Sequence, residues 1–216
     1  MNRIIKRNNI TIYNYKNLTI SNNSLFKNIL KYNNLNNTIY ISGGTSLNLL
    51  LKKIKKKKIK LLPNFFLTDE RVSSSFKETN IYNIKKLLFK KFIKFDYLSI
   101  KNIISCINYC NKKLPIANLI VFGIGNDGHI ASIFKGNYSK KKFFISKKNN
   151  ESFKRISISE KFILRADEII FFINNKKKNI YIKLLLSQNN NVSKVPFLKI
   201  CKKFKRKIRI FTYQLN

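Results

Sequence analysis

The sequence predicts an α/β protein in which helices cover both faces of a mostly parallel sheet. Short apolar runs alternate along the chain with longer segments of helical periodicity. This alternation is typical of strand–helix–strand units, whose strands are buried on both faces. No Pro/Gly/Ser-rich linker and no internal repeat divides the 216 residues, a length that suits one well-buried domain. We therefore expect a Rossmann-like sheet and a single domain spanning residues 1–216.

In the first half of the chain, extended and helical patterns follow one another closely. A helix is indicated where Leu18, Leu25, Phe26 and Ile29 recur at helical spacing. The predicted strands are 10–13, 38–42 and 64–67, and the predicted helices are 17–32, 46–57 and 80–92. Residues 68–72 are expected to form a turn after the third of these strands.

The second half continues the alternation. A weaker strand and helix are expected within 97–112, and a helix is expected over 177–186. Strands are predicted at 119–122, 155–159, 168–173 and 208–212, the last of which would close the sheet.

The charge of the chain is extreme, since 45 Lys and Arg face 9 Asp and Glu, for a net charge of +36. Such a charge can indicate nucleic-acid or membrane-surface binding. The cations are spread along the chain, however, and Lys, Asn, Ile and Phe dominate throughout, as in an A+T-rich coding sequence. We therefore predict no dedicated nucleic-acid partner, although loose binding to anions is compatible with the charge.

Neither a membrane nor a metal is indicated. No apolar run approaches the ~18 residues of a membrane span, and the amino terminus has no hydrophobic signal core. The three cysteines form no CxxC pair and the chain has a single histidine, so a structural zinc site is not expected. Cys106 and Cys110 would share one helix face as small apolar residues in a reducing compartment. We expect a cytoplasmic protein, monomeric or homodimeric.

The first motif-like turn is Ser42-Gly-Gly-Thr-Ser46, between a strand and a helix. Glycines allow the backbone to approach a ligand, and free N–H groups at a helix start attract an anion. Gly43, Gly44 and Thr45 are therefore candidate phosphate-binding residues. The alternative is an ordinary glycine turn with a hydroxyl N-cap.

The second turn, Thr68-Asp-Glu-Arg-Val72, places two carboxylates beside a guanidinium. Arg71 could bind phosphate through two parallel hydrogen bonds, and Asp69 or Glu70 could hold substrate hydroxyls or a partner cation. The alternative is an acidic helix start with a surface arginine.

The third turn, residues 123–136, follows an apolar strand and contains four glycines and the only histidine of the chain. Histidine is the usual proton shuttle near neutral pH. We therefore take His129 and Asp127 as candidate catalytic residues; the alternative is a solvated loop histidine. In parallel sheets, ligands bind outside the carboxyl ends of the strands, where all three turns would lie. Arg155 and Lys178 are further candidate anion ligands at the ends of later elements.

In this order, these segments resemble the 6-phosphogluconolactonase family, within the glucosamine-6-phosphate isomerase/lactonase superfamily. The resemblance spans roughly residues 38–180 and rests on the three turns, on Asn80, on Arg155 with its strand, and on Lys178. Arg71 and the run Ala-Ser-Ile-Phe134 are similar to the lactonase branch rather than the amino-sugar deaminases. Ile130 is deaminase-like, and Lys135 and Leu47 stand where the family commonly has proline.

The resemblance implies hydrolysis of 6-phospho-D-glucono-1,5-lactone to 6-phosphogluconate in the oxidative pentose phosphate pathway, with neither metal nor cofactor. His129 would deprotonate water, Asp127 would position the histidine or the substrate, and the cations would bind phosphate and ring oxygens. Which cation faces the phosphate and which faces the oxyanion stays open at this point. Two alternatives remain: a sugar-phosphate isomerase or deaminase on the same fold, and a non-catalytic binder of anions or RNA.

Overall fold

A computed structural model describes residues 3–87, 102–149, 151–187 and 194–215. Ten strands and seven α-helices are present in these ranges. The strands are β1 (Arg3–Arg7), β2 (Ile10–Tyr15), β3 (Thr38–Ile41), β4 (Asn64–Leu67), β5 (Asp69–Val72), β6 (Leu119–Gly123), β7 (Phe143–Lys147), β8 (Lys154–Ile158), β9 (Glu168–Phe172) and β10 (Lys207–Tyr213). The helices are α1 (Leu18–Leu30), α2 (Asn48–Lys56), α3 (Asn80–Leu87), α4 (Ile103–Lys113), α5 (Glu160–Ile163), α6 (Asn179–Leu186) and α7 (Pro196–Lys203).

The main sheet has seven strands in the order β1-β2-β10-β9-β6-β3-β4. Every neighbouring pair is parallel except β1 and β2, which form an antiparallel hairpin. The prediction of a mostly parallel sheet flanked by helices is confirmed. Parallel strands are buried on both faces, which favours apolar residues along them. In β9, every residue from Ile169 to Phe172 is fully buried.

A second, antiparallel sheet of three strands lies beside the first, in the order β5-β8-β7. The prediction of a turn at 68–72 was therefore wrong, because Asp69–Val72 is a strand that pairs with Lys154–Ile158. The polar residues of β5 gave it no apolar alternation, so only its long-range pairing partner reveals it as a strand. The same finding excludes an acidic helix start at this position.

Other differences concern elements with weak local signals. The sequence did not indicate β1, β7, α5 or α7. The strand predicted at 208–212 exists, but β10 lies between β2 and β9 inside the sheet rather than closing it. The helix predicted over 80–92 is described only to Leu87, and the strand expected near 97 lies outside the described residues. Cys106, Cys110 and Cys201 are buried thiols.

A buried ion pair joins α1, β9 and β10 at the amino ends of the strands. Glu168 and Arg209 are each 4% exposed, and the Arg209 Nε donates to Oε1 of Glu168. The Tyr32 hydroxyl donates to the other carboxylate oxygen at 2.6 Å, and Arg209 also donates to Asn28 of α1. The more exposed Lys207 lies 3.7 Å from the same carboxylate. The pair therefore links neighbouring strands to the helix that covers them.

Replacement of Arg209 by Met should lower the free energy of unfolding by about 3–5 kcal/mol, because it leaves the Glu168 carboxylate buried without its main partner. Urea denaturation measures this loss. Lys207→Met is the matched control, since its ammonium is 59% exposed and an exposed pair contributes about 1 kcal/mol or less. If Arg209→Met and Lys207→Met lose the same free energy of unfolding, the buried pair does not contribute more than the exposed one.

Candidate active site

The site lies where β3, β6 and β9 end side by side in the main sheet. The turn after β3 touches the carboxyl end of β6: the Ser42 N–H donates to Val121 O at 3.0 Å. A Cβ atom on Gly123 would lie only 2.3 Å from the Cβ of Ser46, so glycine permits this close packing. The parallel register therefore brings together the first and third turns, as expected from the sequence.

The loop after β6 presents His129 beside Asp127. The Gly125 N–H donates to the carbonyl of His129 at 2.9 Å, which closes the loop. Gly128, with φ of +77°, occupies the left-handed region that side chains rarely adopt. The Nδ1 of His129 is hydrogen-bonded to Oδ1 of Asp127, and the same oxygen accepts the His129 N–H at 3.3 Å. The side chain of His129 is 24% exposed and that of Asp127 is 55% exposed, so solvent reaches both.

This contact determines which ring nitrogen of His129 donates the hydrogen bond. Burial acts to raise the pKa of Asp127, but the hydrogen bonds and charge of His129 outweigh it and hold that pKa below its usual range. The ionised carboxylate can only accept, so Nδ1 of His129 must donate. In the neutral imidazole, the lone pair of Nε2 is then available to take a proton.

Two later helices hold the histidine loop from outside. The Tyr181 hydroxyl of α6 donates to Asn126 O at 2.6 Å, and the Phe197 N–H of α7 donates to Gly128 O at 3.1 Å. Val195 packs so closely on Gly128 that a Cβ there would lie 2.3 Å from its side chain. The position of Asp127 and His129 therefore depends on contacts with distant parts of the chain.

Lys178 lies next to this loop at the start of α6. Its Nζ donates to Ile124 O at 2.5 Å. Burial lowers the pKa of Lys178, and the nearby negative charge of Asp127 partly opposes this effect. The structure thus brings Lys178 close to the pair formed by Asp127 and His129.

Arg71 and Arg155 stand directly opposite each other on β5 and β8. Both guanidinium groups lie over the ring of Phe153, at 5.4 Å and 4.8 Å from its centroid. Arg155 also lies 5.7 Å from the ring centroid of Phe134, whose ring is 5.0 Å from that of His129. The Nε atoms of both arginines are buried and have no hydrogen-bond partner among the described residues. Arg155 therefore lies one aromatic ring away from the histidine, and Arg71 lies beside Arg155 with a further unused donor.

Asp69 shares the face of β5 with Arg71 but points into the protein. Its Oδ2 accepts a hydrogen bond from the Ser132 hydroxyl at 2.6 Å, and its Oδ1 accepts one from Thr68 at 3.0 Å. The Ser132 N–H in turn donates to the Ser157 hydroxyl of β8 at 3.1 Å. These buried bonds connect the histidine loop to the two strands that carry the arginines.

Glu70 points to the opposite face of β5 and is fully buried at the start of α3. Its carboxylate accepts hydrogen bonds from the backbone N–H groups of Arg71 at 2.6 Å, Asn80 at 2.6 Å and Ile81 at 2.8 Å. Burial raises the pKa of Glu70 to about 7, against the lowering effect of these three donors. The residue is a buried helix cap rather than a ligand-facing group.

The turn at 43–45 remains open towards solvent. Thr45 is exposed, and no heavy atom lies within 4 Å of where a Cβ of Gly44 would be. Gly43 is anchored instead, since its carbonyl accepts a hydrogen bond from the Asn83 side chain at 2.7 Å. Within the described residues, no side chain caps the 3₁₀ turn that begins at Thr45. The N–H groups at this helix start are therefore suited to an anion.

Of the residues predicted from the sequence, seven lie around the ends of β3, β6 and β9 and the paired strands β5 and β8. They are Gly44, Thr45, Arg71, Asp127, His129, Arg155 and Lys178. Gly43 and Asp69 are buried and serve as supports. Sequence reasoning missed Phe153 and Tyr181, as well as the bond between Ser132 and Asp69. Each of these depends on a contact between distant parts of the chain. Among the described residues, no group of three His, Cys, Asp or Glu could hold a metal ion.

The raised pKa of Glu70 predicts a pH-dependent stability difference between the wild type and Glu70→Gln. With a folded pKa of about 7 and an ordinary value of 4.5, the folded state keeps a proton that the unfolded state has released. This contribution is full below the ordinary pKa and is lost as pH rises through about 7. The wild-type advantage should therefore shrink by up to about 3 kcal/mol between about pH 5 and pH 8.

Urea denaturation of both proteins at several pH values measures this difference, in which the titrations of other groups cancel. A difference that stays constant with pH would contradict the raised pKa of Glu70.

Within the described residues, no helix has the length and apolar character that crossing a bilayer requires. The chain is 27% identical over 180 residues to a 6-phosphogluconolactonase of Borreliella burgdorferi, covering 74% of this chain and 77% of that protein. The fold is similar to that of a 6-phosphogluconolactonase from Shewanella baltica, with a TM-score of 0.80 and 16% identity over 98% of this chain and 100% of the other.

A 6-phosphogluconolactonase from Trypanosoma cruzi is similar to the same degree, with a TM-score of 0.80 and 16% identity over 94% of each chain. At these identities the two solved structures support the fold alone. The decisive match is that of residues 26–208 to a single family model, which spans most of the chain and includes every residue of the site. The chain therefore belongs to the family of glucosamine-6-phosphate isomerases and 6-phosphogluconolactonases.

Proposed function

We propose that this protein hydrolyses 6-phospho-D-glucono-1,5-lactone to 6-phosphogluconate, as a step of the pentose phosphate pathway. The observation that carries the proposal is the bond between Asp127 and Nδ1 of His129, which leaves Nε2 as a base. The cations Lys178 and Arg155 lie next to the same loop. The Borreliella burgdorferi relative bears the name of this activity. The proposed partner is a small sugar-phosphate lactone, and a cytoplasmic location belongs to the same proposal.

The proposed reaction begins when Nε2 of His129 takes a proton from water as the oxygen attacks the lactone carbonyl. The carbonyl electrons move onto its oxygen, which forms a tetrahedral oxyanion. On collapse, the bond between the carbonyl carbon and the ring oxygen breaks, and Nε2 returns the proton to that oxygen. Asp127 keeps the imidazole oriented throughout and stabilises its protonated form.

We assign the phosphate to the open turn at 43–45 together with Lys178 and Arg155. The turn after β3 contacts the end of β6, and Lys178 is bonded to Ile124 in the loop that follows β6. Arg155 approaches the same loop through Phe134. Phosphate suits this combination of free N–H groups, an ammonium and a guanidinium.

Arg71 remains as the donor for the carbonyl oxygen. Its strand is tied to the histidine loop through Asp69 and Ser132, and its Nε has no partner among the described residues. A guanidinium aimed at developing negative charge in a partly buried site stabilises the transition state more than the ground state.

His129→Ala should lower kcat/KM for the lactone by about 10²–10⁴-fold, the usual contribution of a general base. The assay follows hydrolysis of freshly generated 6-phosphogluconolactone, with the spontaneous rate subtracted. Asp127→Asn should retain more activity than His129→Ala, because it removes the charge of the partner but keeps the base. Full activity of a folded His129→Ala protein would exclude the histidine as base.

The wild type should release no ammonia from glucosamine 6-phosphate, the substrate named for the other branch of the family. Ammonia release without lactone hydrolysis would move the assignment to that branch.

The proposed division of the cations predicts different kinetic effects. Lys178→Met should raise KM by about 10–100-fold, since a charged hydrogen bond contributes about 1.5–3 kcal/mol. Arg71→Met should instead lower kcat by about 10²–10³-fold, as loss of an oxyanion donor does. Lys177→Met is the control for a general loss of charge, because Lys177 is exposed beside Lys178. A change confined to KM in Arg71→Met would show that Arg71 binds the ground state.

A further inference from the structure

One of the few acidic side chains of this basic protein lies against an arginine of the proposed phosphate site. Oε2 of Glu151 accepts a hydrogen bond from Nη2 of Arg155. The other carboxylate oxygen lies 3.4 Å from Nζ of Lys148. The Arg155 side chain is 8% exposed and that of Glu151 is 24% exposed, so the pair is largely shielded from water. Such a contact is stronger than an ion pair on the open surface.

Glu151 uses one nitrogen of the Arg155 guanidinium and leaves the neighbouring Nε unused. The side-on fork of a guanidinium consists of Nε and Nη2, which bind carboxylate or phosphate in parallel. Glu151 bonds to Nη2, whereas Nε is buried and has no hydrogen-bond partner among the described residues. A phosphate that bonds to Nε and Nη2 in parallel therefore competes with the carboxylate for Nη2.

The surroundings favour an anion beside Arg155. Arg155 and Arg71 are paired directly across two antiparallel strands and share the face of Phe153. Like charges in this arrangement destabilise a strand pair. The Glu151 carboxylate offsets this repulsion. Burial acts to raise the pKa of Glu151, but the hydrogen bonds and charges of Arg155 and Lys148 outweigh this effect and hold that pKa below its usual range. The carboxylate is thus charged when no ligand is bound.

We propose that Glu151 is an internal competitor that binds the guanidinium of Arg155 until the phosphate of the substrate replaces it. This inference rests on the proposed function for the nature of the substrate. A phosphate dianion carries more charge than a carboxylate and bonds to both donors of the fork, so it displaces Glu151. The displacement costs part of the binding free energy, so Glu151 sets how tightly the site binds phosphate.

The first experiment measures binding of inorganic phosphate by isothermal titration calorimetry to the wild type, Glu151→Gln and Glu160→Gln. Glu151→Gln should bind phosphate at least about five-fold more tightly, because the amide competes less well for Arg155. Glu160→Gln loses the same charge from a carboxylate bound to Lys199 and Lys203. It should bind phosphate as the wild type does, which controls for the change in net charge.

The second experiment compares thermal unfolding with and without phosphate. In buffer free of multivalent anions, Glu151→Gln should have a lower Tm than the wild type, because the two arginines then repel each other without compensation. Saturating phosphate should narrow this difference, since the ligand replaces the missing charge. The Glu160→Gln protein should show no such dependence on phosphate.

Phosphate binding that is weaker or unchanged in Glu151→Gln would overturn the proposal, as would a Tm difference that phosphate does not narrow. Neither measurement depends on catalysis. If the lactone is not hydrolysed but phosphate binds more tightly to Glu151→Gln, the displacement stands and the proposed reaction fails. If the lactone is hydrolysed and phosphate binding does not tighten, the reaction stands and the displacement fails.

Discussion

The parallel pairing of β3, β6 and β9 is the constraint on which the site depends. Each of these strands is buried and continuously apolar, so the three are fixed in register by the core rather than by their polar ends. Their carboxyl ends therefore deliver three loops to one edge of the sheet, whatever sequence the loops carry. The glycine turn, the histidine loop and the lysine at the start of α6 meet because of packing that lies far from any substrate.

The small antiparallel sheet adds the second half of the site by a different principle. Strands β5 and β8 place Arg71 and Arg155 side by side, an arrangement that costs free energy in the absence of an anion. This cost is offset locally by the ring of Phe153, which lies against both guanidinium groups, and by the carboxylate of Glu151. Function and stability are in tension at this pair, as is common where binding groups are held ready for a ligand.

Much of the main sheet could be predicted from sequence because its strands are apolar and its helices periodic. The candidate site could be predicted as a set of residues, since histidine and acidic residues are rare here and glycine marks the turns. The strand β5 could not, because Asp69, Glu70 and Arg71 carry no hydrophobic alternation and their pairing partner comes much later in the chain. For the same reason, no local pattern shows that Glu70 caps α3 while Asp69 binds Ser132.

The position of β10 has a consequence for the order in which the protein acquires its structure. This strand comes last among the described strands, yet it lies between β2 and β9 in the sheet. During synthesis on a ribosome, the hairpin of β1 and β2 therefore cannot join the sheet until β10 has emerged. The helix α7, whose Phe197 anchors the histidine loop, emerges only shortly before. A nascent chain that is paused late in translation thus has an unpaired apolar edge at β9, which is exposed to aggregation and to chaperones.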